Sequence, residues 1–255
     1  MRLEKFLKRR MKYFLIKKSE EIVSNEKVEH LVEMIQKDPD PKVVMIGVSH
    51  STFSALTNIL SFLKKERVNV PEGTFEIVAK KNPQFFFESI DEARDLGFTD
   101  DFLEDQICPE TKRINTASGL RGFRRDLALK ILKGEERRVC FGDVFVKDSE
   151  ISNKITSATS VIQATGHVQR ARDIDFFDKK GDSLQIGAPV AGLDLRINLK
   201  NTKELHNIFA LGATAQPPFN PKHGGEKRSR TGNTAVRFYE RHARVIIDQI
   251  LGLNQ

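Results

Sequence analysis

Four apolar residues in succession, Val43-Val44-Met45-Ile46, give the sharpest hydrophobic signal in the chain. A half-solvated strand alternates apolar and polar positions, so an unbroken run predicts a strand buried on both faces, as in a parallel sheet. Gly47 ends it. From Ser49, Ser51 and Thr52 onward, Phe53, Leu56, Ile59, Leu60 and Leu63 recur at helical spacing and predict an amphipathic helix reaching about Arg67. Pro71-Glu72-Gly73 then turns the chain into a second strand from Thr74 to Ala79.

Upstream, residues 1–40 read as mostly helical, with Leu3, Phe6 and Leu7 and then Val28, Leu31, Val32, Met34 and Ile35 at helical intervals. Asp38-Pro39-Asp40-Pro41 breaks that pattern, because proline disfavours helical geometry in the residue before it. Downstream, residues 80–125 are loop-rich, with short helices expected around Glu88–Leu96 and Asp100–Asp105. A helix from Arg124 to Leu132 closes at Gly134, and Arg138 to Phe141 and Phe145-Val146 read as short strands. Ser160 to Ala164 is a second buried-strand candidate, ended by Thr165-Gly166. After an irregular stretch, Asn207 to Leu211 is a further strand ended by Gly212, and Thr234 to Leu251 is a helix carrying Val236, Tyr239, Val245, Ile246 and Ile250. No internal repeat or low-complexity tract interrupts this order, and strands alternating with helices predict an α/β fold.

At 255 residues the chain can form one large domain or two smaller ones. A mean hydropathy of −0.40 and no apolar run near the ~18 residues of a membrane span lead to the expectation of a soluble protein. Cys108 and Cys140 lie far apart without metal-ligand spacing, so a reducing, cytoplasmic setting is the default. The net charge of +7 is concentrated in the first 18 residues and between Arg121 and Arg138. The basic N-terminus suits a solvated amphipathic helix or the remnant of a larger domain better than a membrane-surface or nucleic-acid patch. No tryptophan and two tyrosines argue against base stacking, so nucleic acid is not an expected partner.

Strand, tight small-residue turn and helix is the arrangement that sets a phosphate on a helix N-terminus. Here the glycine pattern is degenerate: Gly47 fits, Ser49 stands where a second glycine would, and Thr52 where a third would. His50 and Ser51 complete the turn. Lys80 and Lys81 follow the second strand, where a base suits a ribose 2′-phosphate and an acid suits a free 2′-hydroxyl; the plain alternative is two surface lysines. Arg121 lies in Ser118-Gly119-Leu120-Arg121-Gly122, where flanking glycines let the backbone bend closely and a guanidinium fork suits a phosphate or carboxylate. Arg124 and Arg125 read instead as a solvated helix start. Thr165-Gly166 and Gly212, at two strand ends, would bring backbone amides near a flat cofactor. The six histidines have no metal spacing, and Gly47-Val48-Ser49-His50-Ser51 lacks the second glycine of a hydrolase nucleophile elbow.

The order of these segments, from Val43–Ser51 through Lys80-Lys81, Ile107-Cys108-Pro109-Glu110-Thr111, Ser118–Gly122 and Ala164-Thr165-Gly166 to Asn207–Gly212, resembles FAD/NAD(P)-binding oxidoreductases related to lysine/ornithine N-monooxygenases. The resemblance covers roughly residues 40–252, the C-terminal two-thirds of such proteins. It implies a Rossmann-like NADP-binding domain over 41–160, preceded by a basic helical segment over 1–40. Residues 161–255 would be the returning part of an incomplete FAD-binding-type domain. It further implies that Gly47, Ser49, His50 and Ser51 hold the NADP pyrophosphate, that Lys80 and Lys81 face the 2′-phosphate, and that Arg121 also meets the nucleotide. Thr165, Gly166 and Gly212 would lie near the flavin, which NADPH reduces. The chain departs from the family in having no glycine before Gly47, hence no N-terminal flavin fingerprint. The expectation is therefore an oxidoreductase-like protein incomplete on its own, completed by a protein partner or second chain, or else a non-catalytic binding or regulatory protein that retains the fold. No catalytic residue and no metal ligand is assigned.

Overall fold

The computed structural model describes residues 16–24, 27–98, 102–109, 111–115, 119–142, 148–165, 176–177, 180–191, 196–200, 204–209 and 237–252. The chain divides into two compact units, residues 1–84 with 120–166 and residues 85–119 with 167–255.

The first unit is built on a five-stranded parallel sheet. Its strands are β1 (Ile16–Lys18), β2 (Val43–Ile46), β3 (Phe75–Val78), β4 (Val139–Phe141) and β5 (Ser160–Gln163), in the order β1-β5-β2-β3-β4. All four residues of β2 are buried, as their unbroken apolar run predicts. On one face Val44, Ile46, Val78 and Val161 form a cluster with Ile155 and Ala158. The alternate residues Val43, Met45, Phe75, Ile77 and Ile162 are at most 1% exposed, so the other face is covered too. The α/β architecture expected from the alternating pattern is present.

Helices α1 (Ser19–Val23), α2 (Val28–Lys37), α3 (His50–Lys65), α4 (Ile90–Asp95), α5 (Phe123–Leu132) and α6 (Asp148–Ser157) follow in chain order, and all except α4 belong to the first unit. In α3 the predicted stripe is the buried one: Phe53, Leu56, Ile59 and Leu63 are fully buried. Each such side chain contributes about 1.5–3 kcal/mol by leaving water.

Residues 16–18 correct the helical expectation for the N-terminal segment, since they form a strand paired parallel with β5, Ile16 opposite Val161. A short apolar run between lysines has no period of its own, so tertiary pairing decides its form. The described part of this segment, from residue 16 on, folds onto the unit, while the helical expectation at Leu3, Phe6 and Leu7 lies outside the described residues. Asn58 of α3 donates its side-chain amide to the carbonyls of Ile22 (3.1 Å) and Val23 (2.9 Å), satisfying carbonyls of the last turn of α1. The proline break is anchored as well. Lys42 and Thr159 bond through backbone and side chain, and the Thr159 hydroxyl donates to the Asp38 carboxylate, which with the Asp40 amide lowers the Asp38 pKa.

In the second unit, Phe85, Phe87, Phe98 and Phe102 form an aromatic cluster with Phe98 centroids 5.1 Å from both Phe85 and Phe87. Asn115 sits in the left-handed region (φ 49°), which asparagine tolerates, and its side-chain amide donates to the Phe85 carbonyl at 3.1 Å. Gly119 is required by proximity, because a Cβ there would lie 2.4 Å from the Phe86 nitrogen. The stretch read as irregular after residue 166 contains short antiparallel strands: β6 (Phe176–Phe177) with β7 (Ser183–Leu184), and β8 (Ile186–Ala191), β9 (Arg196–Leu199) and β10 (Glu204–Phe209). The strand expected at 207–211 is β10, which starts earlier and pairs antiparallel with β9. Helix α7 (Arg237–Ile250) matches the predicted C-terminal helix. The expected strand at Phe145-Val146 lies outside the described residues.

Leu56→Ala removes a fully buried side chain from the α3 face. The expected loss is about 2–5 kcal/mol of unfolding free energy in urea, with an unchanged slope. A loss under about 0.5 kcal/mol, the range of ordinary surface substitutions, contradicts this packing.

Candidate functional site

In a parallel sheet the strands end on one edge, and here the direction of strand addition reverses between β2 and β5: β3 and β4 lie to one side of β2, β5 and β1 to the other. The reversal falls at the C-terminal ends of β2 and β5, the place in an open α/β sheet where ligands bind. Gly47 and Thr165 stand on that edge, and Lys80 and Lys81 follow β3 on the same edge.

Gly47 carries the geometry of the turn. Its φ is +121°, and a Cβ on it would lie 2.2 Å from the Ala164 carbonyl oxygen, so no other residue fits without movement of β5. Its amide donates to Val78 O at 2.9 Å and the Ala164 amide to Ile46 O at 2.8 Å, so the sheet ladder runs to the end of both strands. Thr52, read from sequence as a degenerate third glycine, is instead fully buried, and its hydroxyl donates to the Gly47 carbonyl at 2.9 Å. The threonine thereby ties the first turn of α3 to the strand end.

The N-terminus of α3 is open. Ser49 holds the N-cap position with extended backbone, but its side chain makes no capping hydrogen bond. Among the described residues, no protein acceptor takes the His50 or Ser51 amide. Sixteen aligned peptide units end there, with the positive end of the helix dipole outward. Two arginines add charge. Arg121 is half-buried between fully buried Leu120 and Gly122, whose φ of +53° starts α5. Arg124, the second residue of α5, donates from Nε to the Ser54 hydroxyl at 2.6 Å and stacks 4.3 Å from the Phe123 ring centroid. Burial, and then the Arg124 and Arg121 charges, hold the His50 imidazole below its usual 6.5. The site thus combines an uncapped helix start, two guanidinium groups and a histidine kept neutral, an arrangement suited to an anion.

Of the residues predicted from sequence, the structure brings together Gly47, Ser49, His50, Ser51 and Arg121. Lys80 and Lys81 are exposed on the same sheet edge. Thr165 is exposed and accepts from the Gln163 side chain at 3.2 Å. Gly166 and Gly212 lie outside the described residues. Arg124 corrects the expectation of a solvated helix start. Its partner Ser54 is 70 residues away, and no local pattern signals that pairing. Sequence reasoning also missed Glu76, which accepts from Lys154 beside Gly142, where a Cβ would lie 2.5 Å from the Glu76 carboxylate. Among the described residues no group of histidine, cysteine or acidic side chains is arranged to hold a metal, and no helix is long and apolar enough to cross a membrane.

No protein-family model, curated protein or solved structure compared with the chain matches it.

Two outcomes check this geometry. Gly47→Ala places a methyl group against the Ala164 carbonyl in a disallowed conformation, and should cost about 3 kcal/mol or more in urea unfolding. The His50 imidazole should titrate by NMR below 6.5, and Arg124→Gln should move that midpoint upward. Because the folded chain binds this proton more weakly than the unfolded chain does, His50 lowers stability at acid pH and ceases to do so as pH rises past 6.5. A midpoint at or above 6.5 in the parent chain contradicts the buried, positively charged setting.

Proposed function

We propose that the chain is an FAD/NAD(P)-binding oxidoreductase-like protein whose first unit is a Rossmann-like NADP(H)-binding unit. The observation that carries this reading is the convergence of a Cβ-less turn, an open helix start and two arginine charges at the strand-order reversal, where open α/β sheets take their ligands. In this reading the amides of His50 and Ser51, the Ser49 hydroxyl, Arg121 and Arg124 hold the pyrophosphate. Lys80 and Lys81, beyond β3, select the 2′-phosphate of NADP over the free hydroxyl of NAD. NADPH, when bound, supplies a hydride for a flavin. Of the residues expected near that flavin, Thr165 alone belongs to the described set, so no step is assigned to it; a second chain completing the FAD half is part of the proposal.

The alternative, a non-catalytic binding or regulatory protein, is favoured by one observation. Ile247, Ile250 and Leu251 at the C-terminal end of α7 are 51%, 67% and 63% exposed, more apolar surface than one helix end normally leaves to water.

Titration of the purified chain with NADPH, followed by nicotinamide fluorescence, tests the first reading. The Lys80→Glu, Lys81→Glu double variant should bind NADPH about tenfold to a hundredfold more weakly while NADH binding stays the same, as expected for loss of charge-assisted contacts of about 1.5–3 kcal/mol. NADPH should also bind more tightly as pH falls below 6.5, since a phosphate beside His50 favours its proton. Equal losses for both nucleotides, or no NADPH binding by the parent chain, reject the assignment.

A further inference from the structure

We propose that the groove between α3 and α5 is a docking site for an acidic amphipathic helix of a partner protein. This proposal is independent of the nucleotide reading: the groove runs along the C-terminal half of α3, away from the turn at its N-terminus. Its volume is about 790 Å³. The floor is apolar, with Leu63 fully buried, Leu60 9% exposed and Leu127 half-buried, and Phe123 stands in the wall with half its surface in water. A groove between two neighbouring helices, lined by leucines, suits the apolar stripe of a third helix.

Charge selects the kind of helix. Lys64, Arg67 and Lys130 line the groove, and among the described residues none of them is in a salt bridge. The Glu136 carboxylate of the lining is held by Arg138, whose Nε and terminal nitrogen donate to its two oxygens at 2.7 and 2.6 Å, and the Lys130 charge acts on it more weakly. Asp126 is the one other carboxylate of the lining, so the groove has a surplus of positive charge. Lysines in the last turns of α3 and α5 also offset the helix dipoles. That account does not extend to Arg67. The α3 helix ends in a Schellman motif, Val68 N donating to Leu63 O at 2.9 Å and Arg67 N to Lys64 O at 3.2 Å. Arg67 therefore occupies the left-handed position (φ 55°) that favours glycine. A guanidinium held at the mouth of an apolar groove, in a backbone position unfavourable to it, fits recognition of carboxylates better than it fits stability.

The test uses the full chain and a fluorescein-labelled synthetic helix with leucines at i, i+3, i+4 and i+7 and glutamates elsewhere, followed by anisotropy. A second peptide replaces every glutamate with lysine, and a third replaces every leucine with serine. The acidic leucine peptide should bind, and the other two should bind at least tenfold more weakly. Binding should weaken with added salt and fall at least tenfold in Arg67→Glu, Lys130→Glu. Arg67→Gly guards against misfolding: it should raise the melting temperature, because glycine suits the left-handed position, while still weakening the peptide. Failure of the acidic leucine peptide to bind up to millimolar concentration overturns the proposal. So does equal binding by the serine peptide or by a single-stranded oligonucleotide, which would make the groove a general polyanion surface, and so does unchanged affinity in Arg67→Gly.

Discussion

The absence of a single carbon atom, the Cβ of Gly47, shapes the whole first unit. β2 is the central strand and must hydrogen-bond on both sides, to β3 through the Gly47 amide and to β5 through the Ala164 amide. To do so and still turn within two residues into α3, the backbone at Gly47 takes a positive φ and passes within contact of the Ala164 carbonyl. Thr52 then fixes the start of α3 from inside, by bonding the Gly47 carbonyl. Strand, turn and helix are one rigid construction, and a rigid support is what an anion site needs, because amides aligned before binding lose little entropy on binding.

The same construction has an electrostatic consequence. Elsewhere in the described residues many cations have nearby carboxylates: Lys154 with Glu76, Arg138 with Glu136, Arg113 with Glu88. At the start of α3 His50 is partly withdrawn from water, and burial first, then the Arg124 and Arg121 charges, make it hold its proton less tightly. Arg124 is kept in place by Ser54 and the Phe123 ring rather than by a carboxylate. Positive charge of one sign gathered beside a half-buried histidine favours an anion there.

How much of this was legible depends on the range of the interaction. The β2 run, the α3 stripe and the breaks at Pro39-Pro41 and Pro71-Gly73 act over a few residues, and their pattern in the sequence predicted the elements. Gly47 was legible as a turn, though its real constraint, the carbonyl of Ala164, is 117 residues away in the chain. Thr52 and Arg124 were misread for the same reason: a buried hydroxyl bonded to a strand end and a guanidinium bonded to a serine on another helix leave no periodic trace. Residues 16–18 were taken for helix because three residues are too few to show a period, and pairing with β5 decided the matter. The strand β9 is a different kind of miss. Leu195, Ile197 and Leu199 alternate with Arg196 and Asn198 in the sequence, a period-two signal of a half-buried strand inside a stretch that otherwise reads as irregular.

The basic surplus shows why a charge count underdetermines function. Between residues 121 and 138 the sequence offers a dense group of cations, and composition treats them alike. The fold sorts five of the seven into three kinds. Arg137 and Arg138 are matched by Glu72 and Glu136 and serve the chain itself. Arg121 and Arg124 turn toward the start of α3 and act on its histidine. Lys130 lines the groove between α3 and α5, in company with Arg67. Charge matched by carboxylates contributes to folding and little to recognition, whereas charge gathered around an open helix start or along an apolar groove costs stability unless a ligand of opposite sign arrives. The two surfaces where positive charge accumulates in this way lie toward opposite ends of α3, so the same helix that orients the anion site at one end borders the groove at the other.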